Sequence, residues 1–147
     1  FEWAWLLLRW FESRKNAAAR AAAVRLFEIG TVHGICPDRG VAFMALYDDF
    51  SVADPIARLW PQTEWLKAAI LLAAMSEDQE REHYLGQALQ ALRAMQRFLA
   101  TDVSGLWYDK MRPDGSFVEE PAPASTFYHI VCAILEADAR MKEIGRL

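Results

Sequence analysis

Trp60–Met75 reads WPQTEWLKAAILLAAM, and this stretch decides the fold. Pro61 suits the first position of a helix, where its missing N–H and fixed φ do no harm, and Leu66, Ile70 and Leu71 carry a helical spacing on to about Met75. A second helix follows at once, from about Asp78 to Leu99. Glu77, Glu80, Arg81, Glu82, Arg93 and Arg97 give it an exposed face, and Leu85, Leu89 and Leu92 an apolar stripe. An apolar helix is therefore paired with an amphipathic, solvent-facing one.

The same pairing extends toward both ends. Trp3, Leu6, Leu7 and Trp10 recur at helical spacing over Phe1–Trp10, and an Ala-rich helix over Asn16–Ile29 carries Val24 and Phe27 on one side. From Gly30 to Pro55 Gly, Pro and Asp punctuate the pattern, so a long connection is expected in which Val41–Tyr47 pairs as a strand or lies extended. Beyond Leu99, Arg112-Pro113-Asp114-Gly115 is a turn signal inside Gly105–Val118, which predicts a small β-hairpin. A last helix, capped by Ser125 or Thr126, should run to about Ile144 with Phe127, Ile130, Val131, Ile134 and Leu135 on its apolar face. Alternating apolar and amphipathic helices in hairpins are the pattern of an all-α toroid or solenoid. No sequence repeat is strong enough to establish it independently.

The composition fits one globular domain spanning residues 1–147, with 54% hydrophobic residues and six Trp. The first residue is Phe, and the first helix is already under way without an N-cap residue ahead of it, so the chain reads as a fragment. The opening segment carries Glu2, Arg9 and several Trp in place of the basic start and small-residue cleavage site of a secretory signal, and it is too short for a membrane span. A net charge of −4 with scattered Lys and Arg argues against nucleic acid as a partner. Cys36 and Cys132 stand apart from each other and from any His cluster, which predicts buried free thiols in a cytoplasmic protein and no zinc site.

Three polar side chains fall at comparable places in the apolar helices: Glu2, Glu64 and His129, each expected near a helix start. If these helices line one ring, their N-terminal ends open on one side and put two carboxylates and an imidazole around one pocket. A helix N-terminus disfavours the imidazolium, which would suit His129 to accept a proton. Taken alone, His129 beside Phe127 and Tyr128 reads better as a hydrogen-bonded core residue, and Glu64 as a helix-terminal charge with Trp60 packed as a staple. Arg58–Glu64 also offers an aromatic face and polar groups for a sugar. His33 reads as a turn residue, His83 as solvated, and Asp48, Asp49 and Asp54 as turn formers rather than metal ligands or an acid pair.

Several of these runs together resemble the N-acylglucosamine 2-epimerase family, which includes mannose isomerases and cellobiose 2-epimerases on an (α/α)6 barrel. Phe1–Leu7 is similar to the segment after the family's His-x-x-Glu motif, Arg58–Glu64 to its Trp-x-Gln-x-Glu segment, and Ser125–Ile130 to its C-terminal catalytic-His segment. Gly105–Asp109 with Asp114-Gly115 is similar to the hairpin between its last helices. The resemblance implies the C-terminal half of the barrel, a sugar substrate and no cofactor or metal. It implies that Glu2 and His129 are catalytic and that Arg58, Trp60 and Glu64 contact substrate, with Glu2's histidine partner lying before Phe1. The Pro-Arg pair found after the second His in many relatives is replaced here by Ile130-Val131.

The expected chemistry is proton transfer next to a sugar carbonyl through a cis-enediolate, of the mannose–fructose type, or alternatively 2-epimerisation of an N-acylglucosamine or cellobiose-type sugar. A glycoside hydrolase using Glu2 and Glu64, and a non-catalytic helical scaffold, are the competing classes. As a fragment the chain should be inactive, with apolar edges that favour association into a homo-oligomer.

Overall fold

The computed structural model describes residues 1–145 and consists mainly of five helices: α1 (Glu2–Arg14), α2 (Ala17–His33), α3 (Leu59–Ala74), α4 (Asp78–Leu99) and α5 (Ser125–Ile144). Between α2 and α3 lie β1 (Ile35–Cys36), β2 (Val41–Ala42), β3 (Ala45–Leu46), β4 (Val52–Asp54) and β5 (Ala57–Arg58), and between α4 and α5 lies β6 (Lys110–Met111). No described helix is long and apolar enough to cross a membrane.

Helix α3 is the centre. It packs between α1 and α5, with α4 against it and α2 against α1. Every residue from Pro61 to Ala73 is buried, and Trp65, Leu71 and Leu72 are wholly so. Each such large side chain contributes about 1.5–3 kcal/mol relative to exposure. That explains why a sequence with so little amphipathic character makes a helix here.

The partner surfaces differ from the sequence expectation. Helix α4 buries Tyr84, Ala88, Ala91, Met95 and Phe98, while Leu89 and Leu92 are 48% and 39% exposed. Alanines at 88, 91 and 94 suit close approach to the small residues Ala68, Ala69 and Ala73, and this excludes the leucines from the contact. The leucines instead rim an apolar groove with Ala137 and Met141 of α5. Helix α5 likewise buries Thr126, Ile130 and Ala133, leaving Phe127, Ile134 and Leu135 exposed.

Helices α1 and α2 run past their expected ends. Asn16 caps α2 by accepting from Ala19 N at 3.1 Å, and Gly30 and His33 belong to the helix rather than to a turn. Gly30 stays helical because the Phe1 ring needs its space: a Cβ there would lie 2.7 Å from the ring, which stacks on Trp65 and meets Phe27 edge-on. Pro61 occupies the third position of α3, because Leu59 and Trp60 are already helical.

The long connection resolves into two short antiparallel pairs, β1 with β2 and β3 with β4, so part of Val41–Tyr47 does pair. Asp49 and Asp54 are turn formers: Asp49 Oδ1 accepts from Ser51 N and Oγ, and Asp54 Oδ1 from Ile56 N. The expected hairpin exists, with Arg112 N bonded to Ser116 O and a bridge from Met111 to Phe117. Its first strand, β6, also pairs with β5, Ala57 opposite Met111 and Arg58 opposite Lys110.

Only one of the two thiols is buried. Cys36 lies beneath Arg39; burial pushes its thiol up, but the Arg39 hydrogen bond and charge outweigh that and hold it below the ordinary range. Cys132 is half-buried on α5.

Candidate active site

The β5–β6 pair brings the start of α3 beside the start of α5, and the start of α1 closes the third side. A pocket of about 280 Å³ opens between them, lined by Glu2, Arg58, Trp60, Ser125, Thr126 and His129. A more apolar recess of about 340 Å³ shares Glu2 and Trp60 with it and reaches Glu64, Trp3 and Phe43. The combination of aromatic walls and a few convergent polar groups is what a sugar-sized ligand requires.

Arg58 ends β5 and directly precedes α3. Its Nε and Nη2 both donate to Asp109 Oδ2, at 2.9 and 2.8 Å. Asp109, 1% exposed, uses its other oxygen to accept from Thr126 Oγ1 at 3.1 Å. Neither Ser125 nor Thr126 caps α5 with its side chain, because the Thr126 hydroxyl is turned to Asp109 and Ala124 holds the cap position. One buried carboxylate thus joins the pocket's cation to the first turn of the helix that carries His129. Gln62, wholly buried, faces away from the pocket and fastens β2 to α3, accepting from Ala42 N and donating to Ala42 O and Arg58 O.

Glu64 and His129 meet behind this rim. Each lies one turn deeper than expected, at the sixth residue of α3 and the fifth of α5. His129 Nδ1 is 2.8 Å from Glu64 Oε1, and Lys67 Nζ reaches the same oxygen at 2.8 Å. An ionised carboxylate only accepts, so whenever Glu64 is charged the donor in this pair is Nδ1, and Nε2, across the ring, is left for a ligand. The His129 ring tilts against Trp60, with centroids 5.7 Å apart. Next to it, the Tyr128 hydroxyl titrates above the ordinary tyrosine value; the Cys132 thiol is the main cause, followed by slight burial and the charges of Glu64 and Glu2.

The geometry matches a known group of proteins. The family model described as N-acylglucosamine 2-epimerase (GlcNAc 2-epimerase) matches residues 1–133. The chain belongs to this family. It is 66% identical over 144 residues to a protein named Mannose-6-phosphate isomerase from Rhizobium meliloti (strain 1021), a match covering 98% of this chain and 37% of that protein. A solved D-mannose isomerase superposes with a TM-score of 0.83 at 26% identity, over 92% of this chain and 34% of the other. Cellobiose 2-epimerase from Spirochaeta thermophila DSM 6192 superposes at 0.82 with 18% identity, over 96% and 37%, a likeness of fold alone. The chain spans about a third of the length of these epimerase-family relatives.

Of the residues singled out from sequence, Glu2, Arg58, Trp60 and His129 line one pocket, and Glu64 stands directly behind His129. Glu64 differs from its expected place as a sugar contact: it is 1% exposed and its Oε1 is taken by His129 and Lys67. Only Oε2, buried without a donor among the described residues, is left to meet another group. His33 stacks on Phe50 and His83 lies exposed beside Tyr84. Sequence reading missed Lys67, Asp109 and Thr126. A lone Lys inside WLKAAILL was the available signal for the first, since a cation in a buried helix needs a partner one turn away. Asp109 gave none, because its partners are 51 and 17 residues distant.

Proposed function

We propose that this chain forms the C-terminal third of an (α/α)6 toroid, as a single unit over residues 1–147, and carries part of the active site of an aldose–ketose isomerase of the mannose–fructose type. The observation that carries the reading is the Glu64–His129 pair, held at the edge of a pocket with Trp60, Arg58 and Glu2. High identity to a protein named as a mannose-6-phosphate isomerase, and structural likeness to a D-mannose isomerase, support this chemistry over hydrolysis or scaffolding.

In this mechanism the open-chain aldose lies with an apolar face on Trp60 and its hydroxyls toward Arg58 and Glu2. Neutral His129 takes the proton from C2 at Nε2, while its Nδ1–H donates to Glu64, which orients the ring and stabilises the imidazolium that forms. The C2–H electron pair becomes the C1–C2 double bond of a cis-enediolate, with the former carbonyl oxygen carrying the charge. The proton of the C2 hydroxyl then passes to the charged C1 oxygen, and return of the proton held on His129 to C1, with the C2 oxygen becoming the carbonyl, gives the ketose. Return to C2 from the opposite face would give the 2-epimer.

The test is solvent deuterium exchange. The full-length protein is incubated with mannose in deuterated water and C1 and C2 are followed by NMR. Deuterium should enter the ketose product, and His129→Gln should lower the rate at least about 100-fold, the contribution typical of a positioned acid–base group. Exchange that survives His129→Gln at the original rate would overturn the assignment, and formation of glucose without fructose would favour the epimerase reading.

A further inference from the structure

Beyond Glu64, the only charged side chain of α3 is Lys67. It is 2% exposed; its ammonium lies 2.8 Å from Glu64 Oε1 and 3.9 Å from the centroid of the Trp5 ring. No other carboxylate reaches it among the described residues, so one carboxylate oxygen and one aromatic face are its visible compensation for leaving water. A leucine at this position would bring no such desolvation cost, so the charge itself calls for an explanation.

The explanation lies in the shared oxygen. Glu64 Oε1 binds Lys67 and His129 at the same distance, so the two nitrogens are within about 6 Å of each other. Without Lys67, the natural way to neutralise a buried Glu64 would be a proton on His129, which would make the ring an imidazolium and useless as a base. With Lys67 in place, Glu64 is already neutralised while His129 is uncharged. A proton on His129 would then leave a net positive charge in a water-poor site. The other charged or titratable groups around the ring and its carboxylate, among the described residues, are Glu2 and the Phe1 amino group at the start of α1, Arg58 from β5 and Tyr128 on α5 itself, with Cys132 beside Tyr128. Arg58 is matched by Asp109.

We infer that Lys67 is a positioning residue whose charge, acting through Glu64, holds His129 in the neutral Nδ1–H form that the proposed isomerisation requires. This rests on the functional reading above but is separable from it, because the form of the ring is observable without substrate.

The first readout is the side-chain nitrogen NMR spectrum of His129 in the full-length protein at about pH 7, with His129→Gln for assignment. The expected result is a protonated Nδ1 and an unprotonated Nε2. The second readout compares Lys67→Gln with Lys67→Arg. In Lys67→Gln, Glu64 is free to stabilise the imidazolium, so the ring should stay protonated to higher pH. The acid limb of the sugar-exchange rate should move upward by about one pH unit. Lys67→Arg should leave both where they were. A purely structural lysine would change yield or overall rate and leave the limb in place. An imidazolium in the unmodified protein, or an unmoved titration in Lys67→Gln, would overturn the inference. If Lys67→Gln does not fold, Lys67→Met, which removes the same charge and keeps the bulk, takes its place in both readouts. If no sugar exchanges, the isomerase reading fails while the ring's protonation still tests Lys67.

Discussion

Arg58 and Asp109 form an unequal pair, and the inequality predicts which partner is worse to lose. The Asp109 side chain is wholly buried, whereas that of Arg58 is 27% exposed. In Arg58→Met the carboxylate keeps only the Thr126 hydroxyl and the charge is stranded away from water, which costs about 3–5 kcal/mol. In Asp109→Asn the guanidinium can turn to solvent and the amide oxygen can still accept from Thr126. The cost should fall to about 1.5–2 kcal/mol, near that of one charge-assisted hydrogen bond. The double variant removes both charges and should be less damaged than the sum of the singles, with a coupling of at least about 1.5 kcal/mol. Urea unfolding of the three variants, read at constant m, measures all of this. Equal losses in the two single variants, or strict additivity in the double, would refute the claim that burial of Asp109 makes Arg58 indispensable.

Two further outcomes follow from local geometry. Gly30→Ala places a methyl 2.7 Å from a Phe1 ring that is itself clamped by Trp65 and Phe27, so thermal unfolding should show a loss of about 1–3 kcal/mol, against the gain usual for Gly→Ala within a helix. Asp49 and Asp114 titrate below the ordinary aspartate value because Ser51 and Ser116 donate to them through both hydroxyl and backbone N–H. A depressed folded value means stabilisation that is present above the unfolded aspartate value and lost as pH falls through the folded one. Asp49→Asn/Asp114→Asn should therefore show a shallower loss of stability below about pH 4 than the parent, in unfolding curves collected across that range.

The helix order was legible because α3 is apolar over most of its length and α4 is charged on one side, a contrast visible without any partner. The packing faces were less legible. In α4 the leucines look like the core stripe, but contact with an alanine-lined neighbour favours the alanines at 88, 91 and 94, and no property of α4 alone reveals its neighbour's size. The same holds for α5, where Thr126, Ile130 and Ala133 face inward while the larger Phe127 and Leu135 do not. That His129, Glu2, Arg58 and Trp60 would meet at one pocket was legible because motifs in one order place them at or near the starts of α1, α3 and α5. Asp109 and the strand pairing of Ala57 with Met111 were not, because both join segments some fifty residues apart with no pattern in either that names the other.

The complete enclosure of α3 bears on how such a site can change over generations. From Pro61 to Ala73 no side chain reaches solvent, so almost any replacement there disturbs a packed neighbour as well as the chemistry. Variation in the pocket has freer ground in the rim: Trp3 on α1, the strand connections at Phe43–Leu46, and Ser125 at the start of α5. If the proposed function holds, a lineage can diversify in substrate while inheriting the Glu64–Lys67 element almost unaltered, and directed-evolution libraries aimed at new sugars are better placed on those rim segments than on α3.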